Sequence, residues 1–236
     1  MQEQIETRAA QPRGHRGADA DPSADASDER YRSVHASSLP DLPVRSNRFA
    51  RTVGARDHPR VLVRREVRAD HLDVRGLLLT AFVRGDGETP VEAELAEQLR
   101  TGPWFLPALS LVAVPVDDGH GSGIVGHVMA TRGTIDPAGA PALGVGPLSV
   151  LPAWHGRGVG SALMHSLLAA AEATGESVVC LLGAPRYYRR FGFRPAVESG
   201  IAAPDATWGG VFQARTFGDH PAAPGTFRYA PPFDAL

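Results

Sequence analysis

From Val61 onward the chain alternates short apolar runs with longer stretches of helical spacing, whereas residues 1–58 carry no periodic apolar stripe. That first segment is dominated by Ala, Asp, Ser, Pro and Arg. Such a composition cannot bury enough surface to offset the entropy of ordering it, so a tail is expected. Arg45, Arg48, Arg51 and Arg56 read there as a solvated, weakly basic face. VLVRREV from Val61 has the loose alternation of an edge strand. Asp70 stands where it would cap a helix through Leu72, Leu77, Leu78 and Phe82. A second helix is predicted over Val91–Arg100, with Leu95 and Leu99 one turn apart. Ser110–Val116 and Gly123–Thr131 read as two strands, and DDGHGSG between them has a hairpin composition, which predicts antiparallel pairing.

Leu143–Val150 is a further strand. Helical periodicity then runs from Gly158 to Thr174, with Val159, Leu163, Leu167 and Ala170/Ala171 on one face and Gly175 placed to end it. Ser177–Gly183 is a short, wholly apolar run, the pattern of a strand buried on both faces. A brief helix over Arg186–Phe191, a strand from Phe193 and a last strand over Gly210–Thr216 complete the series. The order β-α-α-β-β-β-α-β-α-β-β predicts one mixed α/β domain over residues 59–218, followed by a Pro-rich tail over 219–236.

Composition narrows what this domain can do. The 236 residues are 43% hydrophobic and 21% charged, an ordinary composition for a soluble protein. No run of about 18 apolar residues would span a membrane, and the first residues lack the apolar centre of a secretory signal. The expected location is the cytoplasm. A net charge of −2 provides no basic field for nucleic acid. Cys180 is the single cysteine, so neither an internal disulfide nor a cysteine-based metal site is expected, and no His, Asp or Glu spacing suggests a metal. All 24 basic residues are Arg. The absence of Lys removes a Walker phosphate loop, a kinase-type ATP lysine and Schiff-base chemistry. No G-x-S-x-G elbow is present either.

The informative segment is LSVLPAWHGRGVGSAL, residues 148–163, where a strand enters a glycine-rich turn that feeds straight into a helix. Free amides at a helix N-terminus, reinforced by the helix dipole, make an anion site. Gly156, Gly158 and Gly160 let the backbone approach a phosphate without a Cβ in the way, and Arg157 adds a guanidinium. The dinucleotide fingerprint fails, because Ser161 stands where its last glycine belongs. By itself the segment also fits a strand-to-helix connection that binds nothing.

With its flanking residues the segment resembles the signature of the GNAT superfamily of acetyl-CoA-dependent N-acyltransferases. The match runs through Val150, Pro152, His155, Gly158 and Gly160, and departs from the family at His155, where Gln or Arg is usual. A second motif in order and register, APRYYRRFGF (184–193), matches the family's Tyr-x-x-x-Gly-Phe through Tyr188, Gly192 and Phe193. The resemblance covers about residues 60–217. It implies an α/β fold built on a single mixed, mostly antiparallel sheet flanked by helices. It also implies acetyl-CoA as acyl donor. The amides of His155, Gly156, Arg157, Gly158, Val159, Gly160 and Ser161 would hold its pyrophosphate, and the backbone of Leu148, Ser149 and Val150 would pair with the pantetheine arm.

The activity implied is acetyl transfer to a primary amine of a small-molecule or peptide acceptor, by direct attack in a ternary complex. Tyr188 would protonate the departing thiolate, a reasonable step for a phenol of pKa about 10. The Val150 amide would face the developing oxyanion. The base is left open between a water chain to His127, on the neighbouring strand, and one of the helix glutamates, with a satisfied strand histidine as the competing reading of His127. Glu92, Glu94 and Glu97, together with Trp104 and Phe105, would border the acceptor cleft or simply be solvated or packed. Tyr187 is expected to point elsewhere, and Arg186, Arg189 and Arg190 read as a solvated face. Cys180 reads as a small buried hydrophobe. The alternative function is a non-catalytic acyl-CoA-binding sensor. No nucleic-acid or membrane partner is expected, and a homodimer is compatible with the family.

Overall fold

The computed structural model describes residues 60–83, 89–116, 123–218 and 223–235. The expected N-terminal tail and most of the DDGHGSG turn lie outside these residues. The elements are β1 (Arg60–Arg65), α1 (His71–Ala81), α2 (Val91–Thr101), β2 (Phe105–Val116), β3 (Gly126–Asp136), β4 (Ala140–Val150), α3 (Val159–Ala173), β5 (Val178–Leu182), the four-residue α4 (Pro185–Tyr188), β6 (Arg194–Pro195), β7 (Ile201–Ala202), β8 (Phe212–Thr216) and β9 (Gly225–Arg228). The main sheet order is β1-β2-β3-β4-β5-β8-β6. All its neighbours are antiparallel except β4 and β5. This is the mixed, mostly antiparallel sheet expected from the sequence, and no helix among the described residues is long and apolar enough to cross a membrane.

Two layers cover the sheet. On one face α3 buries Val159, Leu163, Met164, Leu167, Leu168 and Ala171 against Leu111, Ala113, Val128, Leu148 and Val150. On the other face α1 and α2 close over Val112 with Val74, Leu77, Leu78, Ala93 and Ala96. The helix ends follow local chemistry. Gly175, at φ 79°, donates to the Glu172 carbonyl while Glu176 donates to that of Ala171, the paired bonds of a Schellman stop. Asp70 does precede α1, but its carboxylate caps no helical amide. It instead accepts both Arg64 Nη groups, at 2.6 and 2.8 Å, and the Val67 amide at 2.8 Å. The cation of Arg64 is a stronger partner than a neutral amide.

The segment after residue 218 is not wholly a tail. β9 pairs with β3 over Thr134–Asp136 and with β7, and Phe227 and Tyr229 pack against Phe212 in a second core cluster. Phe227 is fully buried, and burying an aromatic side chain offsets the ordering of a short Pro-rich segment. Docking requires Gly225: a Cβ there would lie 1.9 Å from the Asp136 carbonyl oxygen. Gly225→Val is therefore expected to cost about 3 kcal/mol or more, a fall in Tm of roughly 6–12 °C for a domain of this size. Thermal melts check it, and an unchanged Tm would show that β9 does not hold the domain together.

Candidate active site

Two features of the backbone define the site. β4 and β5 pair only at Leu143–Val179 and Gly144–Cys180. Beyond that point they part, so the edge of β4 over Val145–Val150 that faces β5 has no sheet partner. Its opposite edge stays paired to β3, with Gly126 opposite Val150 and His127 opposite Ser149. A slot thus opens beside the end of β4, where an extended chain can add its own hydrogen bonds.

The second feature closes the slot at one end. After β4 the chain makes a short 3-10 turn (Pro152–Trp154), then reaches α3 through Gly156 at φ 72° and Gly158 at φ 85°. Both lie in the left-handed region that only glycine adopts without cost. A Cβ at either would meet nothing within 4 Å, so open space adjoins the turn at both glycines. Ala162 is the first residue to bond back, to the Gly158 carbonyl at 2.9 Å. The Val159, Gly160 and Ser161 amides ahead of it have no carbonyl inside the helix. His155, the departure from the family signature, bonds the Val150 carbonyl through Nε2 at 2.9 Å and ties the turn to the strand end. Arg157 lies over the Trp154 ring at 5.5 Å. Open space, orphan amides and a slot of strand length suit a phosphate-bearing ligand with an extended arm.

The tyrosine pair stands over this region. Tyr188 is buried in the same apolar cluster as Leu148, Val150, Val159 and Leu181. Its ring presses on the end of β5, where a Cβ on Gly183 would lie 2.3 Å from it, and it meets Phe193 edge-on at 5.9 Å. Tyr187 does not point elsewhere, as the sequence suggested. A Cβ on Gly160 would lie 2.8 Å from its hydroxyl, so the phenol stands at the start of α3. Burial pushes this phenol up from its usual range. The two consecutive rings meet edge-on at 4.9 Å. Arg190 stacks over Tyr187 at 4.8 Å.

Of the remaining candidates, His127 is fully buried on the face beneath α1 and α2, and Trp104 and Phe105 pack with Leu95, Leu99, Met129 and Phe233. Glu97 pairs at the surface with Arg75, and Glu94 accepts from Gln98. Cys180 is buried, which pushes its thiol up from the usual range. No group of three or more His, Cys, Asp or Glu side chains suited to a metal occurs among the described residues.

Glu66 escaped the sequence reading. Its carboxylate, just past β1, accepts Arg100 Nη2 at 2.5 Å and the Ser110 hydroxyl, and lies 3.4 Å from His127 Nε2 and 3.9 Å from His71 Nε2. Burial alone would raise the carboxyl, but the His127 and Ser110 hydrogen bonds and the Arg100 charge outweigh it and hold the group at about 2. Burial also pushes the His127 ring below its ordinary range, against the pull of Glu66. Both groups take protons more readily unfolded, so both lose stability as pH falls: His127 below its ordinary 6.5, Glu66 below its ordinary 4.5. Tm is expected to drop from pH 7 to pH 3, and the gap between wild type and Glu66→Gln to narrow below pH 4.5. Melts across that range check it, and a constant gap would show the carboxylate to be unperturbed.

A parallel pair thus splays apart within a largely antiparallel sheet, with a glycine turn at its end. Known proteins agree. Residues 112–195 match the family model described as an acetyltransferase (GNAT) domain. A GNAT family acetyltransferase from Brucella melitensis, solved with acetyl-CoA, is 30% identical; the match covers 75% of this chain and all of that one, at a TM-score of 0.57. The GNAT family N-acetyltransferase YhbS from Escherichia coli, solved with CoA, is 26% identical, with 75% and 93% covered and a TM-score of 0.64. The uncharacterized N-acetyltransferase YjhQ of Escherichia coli is 34% identical over 116 residues, 48% of this chain and 61% of that protein's length. The chain belongs to the GNAT family of N-acetyltransferases.

Proposed function

We propose that this protein transfers an acetyl group from acetyl-CoA to a primary amine of a small-molecule or peptide acceptor. The carrying observation is the conjunction at the end of β4: an unpaired strand edge, a turn with two left-handed glycines, and Tyr188 over the facing strand. The CoA and acetyl-CoA bound in the two related structures support the donor.

Acetyl-CoA supplies an activated acyl group as a thioester. The Val159, Gly160 and Ser161 amides and the open turn from His155 to Gly158 hold its pyrophosphate, aided by the helix dipole. Arg157, in the same turn, supplies a guanidinium to the phosphate oxygens. The free edge of Leu148–Val150 orients the pantetheine arm, and the Val150 amide stabilises charge on the carbonyl oxygen. Holding donor and amine in one cleft makes the attack effectively intramolecular. Tyr188 delivers a proton to the leaving sulfur. Calorimetric titration with acetyl-CoA tests the donor. Thiol release over a panel of one polyamine, one amino acid, one aminoglycoside and one peptide with a free N-terminus tests the transfer. Saturable binding with thiol release from at least one amine is expected, and a folded protein that does not bind acetyl-CoA would overturn the reading.

A further inference from the structure

Across the sheet from α3, buried polar groups collect that the transfer reading above leaves unused. His127 and Ser149 are directly opposite each other on β3 and β4. Their side chains therefore share a face, with Cβ atoms about 4.5–5.5 Å apart. Leu148 and Val150 point to the α3 side, so Ser149 points to the other, one residue from the slot. His127 is fully buried and Ser149 is 1% exposed. His127 Nδ1 and Ser149 Oγ are both buried with no hydrogen-bond partner. A buried polar atom left unmatched is costly, and two on adjacent side chains beside the cofactor strand mark a place where a further polar group is received.

The network behind His127 dictates which nitrogen is the base. The Ser110 hydroxyl donates its proton to Glu66 Oε2, so its oxygen can only accept. Nε2 lies 3.3 Å from that oxygen and 3.4 Å from Glu66 Oε2. Facing two acceptors, Nε2 must carry the hydrogen, and in a neutral ring this leaves the lone pair on Nδ1. Arg100, from α2, bonds the other carboxylate oxygen at 2.5 Å and keeps Glu66 ionised. His71 of α1 and Asp70 complete the titratable surroundings, and Asp70 is neutralised by Arg64. A carboxylate behind one imidazole nitrogen both orients the ring and stabilises its cation once the other nitrogen takes a proton.

We propose that His127 Nδ1 accepts the proton released by the acceptor amine, passed on by the Ser149 hydroxyl, with Glu66 and Arg100 as positioning residues. This rests on the acetyl-transfer reading above. In the balanced step the amine nitrogen bonds the acyl carbon as the carbon–sulfur bond breaks. One amine proton reaches Nδ1, and the sulfur takes one from Tyr188. The imidazolium stands against the Glu66 carboxylate until its proton returns to the phenolate, which restores both groups.

Two measurements test the proposal. Long-range 1H–15N NMR of the full chain with CoA bound reads the His127 tautomer, assigned by comparison with His127→Asn. The Nε2–H form is expected at pH 7, and an Nδ1–H form overturns the assignment. The second follows kcat against pH with the fastest amine of the panel. His127→Asn is expected to lower kcat about 100-fold while leaving KM for acetyl-CoA unchanged. Glu66→Gln, nearly isosteric, removes the charge that favours the imidazolium, so the acid limb of the profile should move to lower pH. A wild-type kcat in His127→Asn, or an unmoved limb in Glu66→Gln, overturns the relay while transfer stands. CoA binding with no amine accepted overturns the transfer reading itself, and the relay with it.

Discussion

Gly158→Glu is expected to abolish acetyl-CoA binding over the range where the wild type saturates, a loss of at least 100-fold. Gly158 is the residue before α3, at φ 85° and ψ −1°. A side chain there projects into open space, since no atom lies within 4 Å of its Cβ. The substitution therefore creates no clash, and its conformational strain is about 1–2 kcal/mol. What it adds is a carboxylate where the free amides of the first turn converge. An anion in that place satisfies those amides itself and repels the pyrophosphate. A 100-fold loss corresponds to about 2.7 kcal/mol. Gly158→Ala separates the two effects, because it keeps the strain without the charge and should cost no more than tenfold. Calorimetric titration of both variants decides the matter, with circular dichroism to confirm folding. Wild-type affinity in Gly158→Glu would move the cofactor away from the helix N-terminus.

The second large effect is on turnover. Tyr188→Phe is expected to lower kcat about 100- to 1,000-fold, the contribution of a positioned acid, with acetyl-CoA affinity within twofold of wild type. Removing one oxygen leaves the packing on Gly183 and Phe193 intact, since those contacts are made by the ring. Tyr187→Phe provides the contrast. Its hydroxyl stands at the start of α3, 2.8 Å from where a Cβ on Gly160 would lie, so the loss should appear in KM for acetyl-CoA and not in kcat. If the two variants exchange these signatures, the acid is Tyr187. A non-catalytic sensor would show saturable CoA binding with no thiol release in the wild type, and Tyr188→Phe would leave its ligand response unchanged.

The elements that carry the proposed cofactor site were legible in the sequence because each is encoded locally. A helix announces itself at Val159–Ala173 by apolar residues every three or four positions. Its start is marked by glycines that a left-handed turn requires, and its stop by Gly175. The strand Val178–Leu182 reads as apolar throughout because α3 covers one of its faces and the β8–β9 side covers the other. The Tyr188 motif is likewise contiguous. Tyr187 was misplaced because a standard helix turns successive side chains by about 100°, and neighbouring residues were expected to diverge. Ring packing decides instead: Tyr187 meets Tyr188 and Phe191 edge-on and Tyr188 meets Phe193, which gathers both rings on one side of the cleft.

Glu66 shows what could not be read. It follows an edge strand as one acidic residue among arginines, in a setting that suggests solvent. Its partners Arg100, Ser110 and His127 come from α2, β2 and β3. No spacing links residues 66, 100, 110 and 127 along the chain. Their meeting follows from the β1-β2-β3 register and from α2 closing over that face. β9 is similar: GTFR has no pattern of its own and becomes a strand only because β3 extends past β2 and offers a free edge at Thr134–Asp136. By itself, then, the sequence determined the helices, the strands of the main sheet, the glycine turn and the family they compose, since backbone preference and periodic burial act between near neighbours. The tertiary structure alone decided the slot between β4 and β5, the docking of β9 and the buried Glu66–His127 pair. Each of these depends on which distant backbone edges and faces come into contact, a choice made by packing over the whole domain.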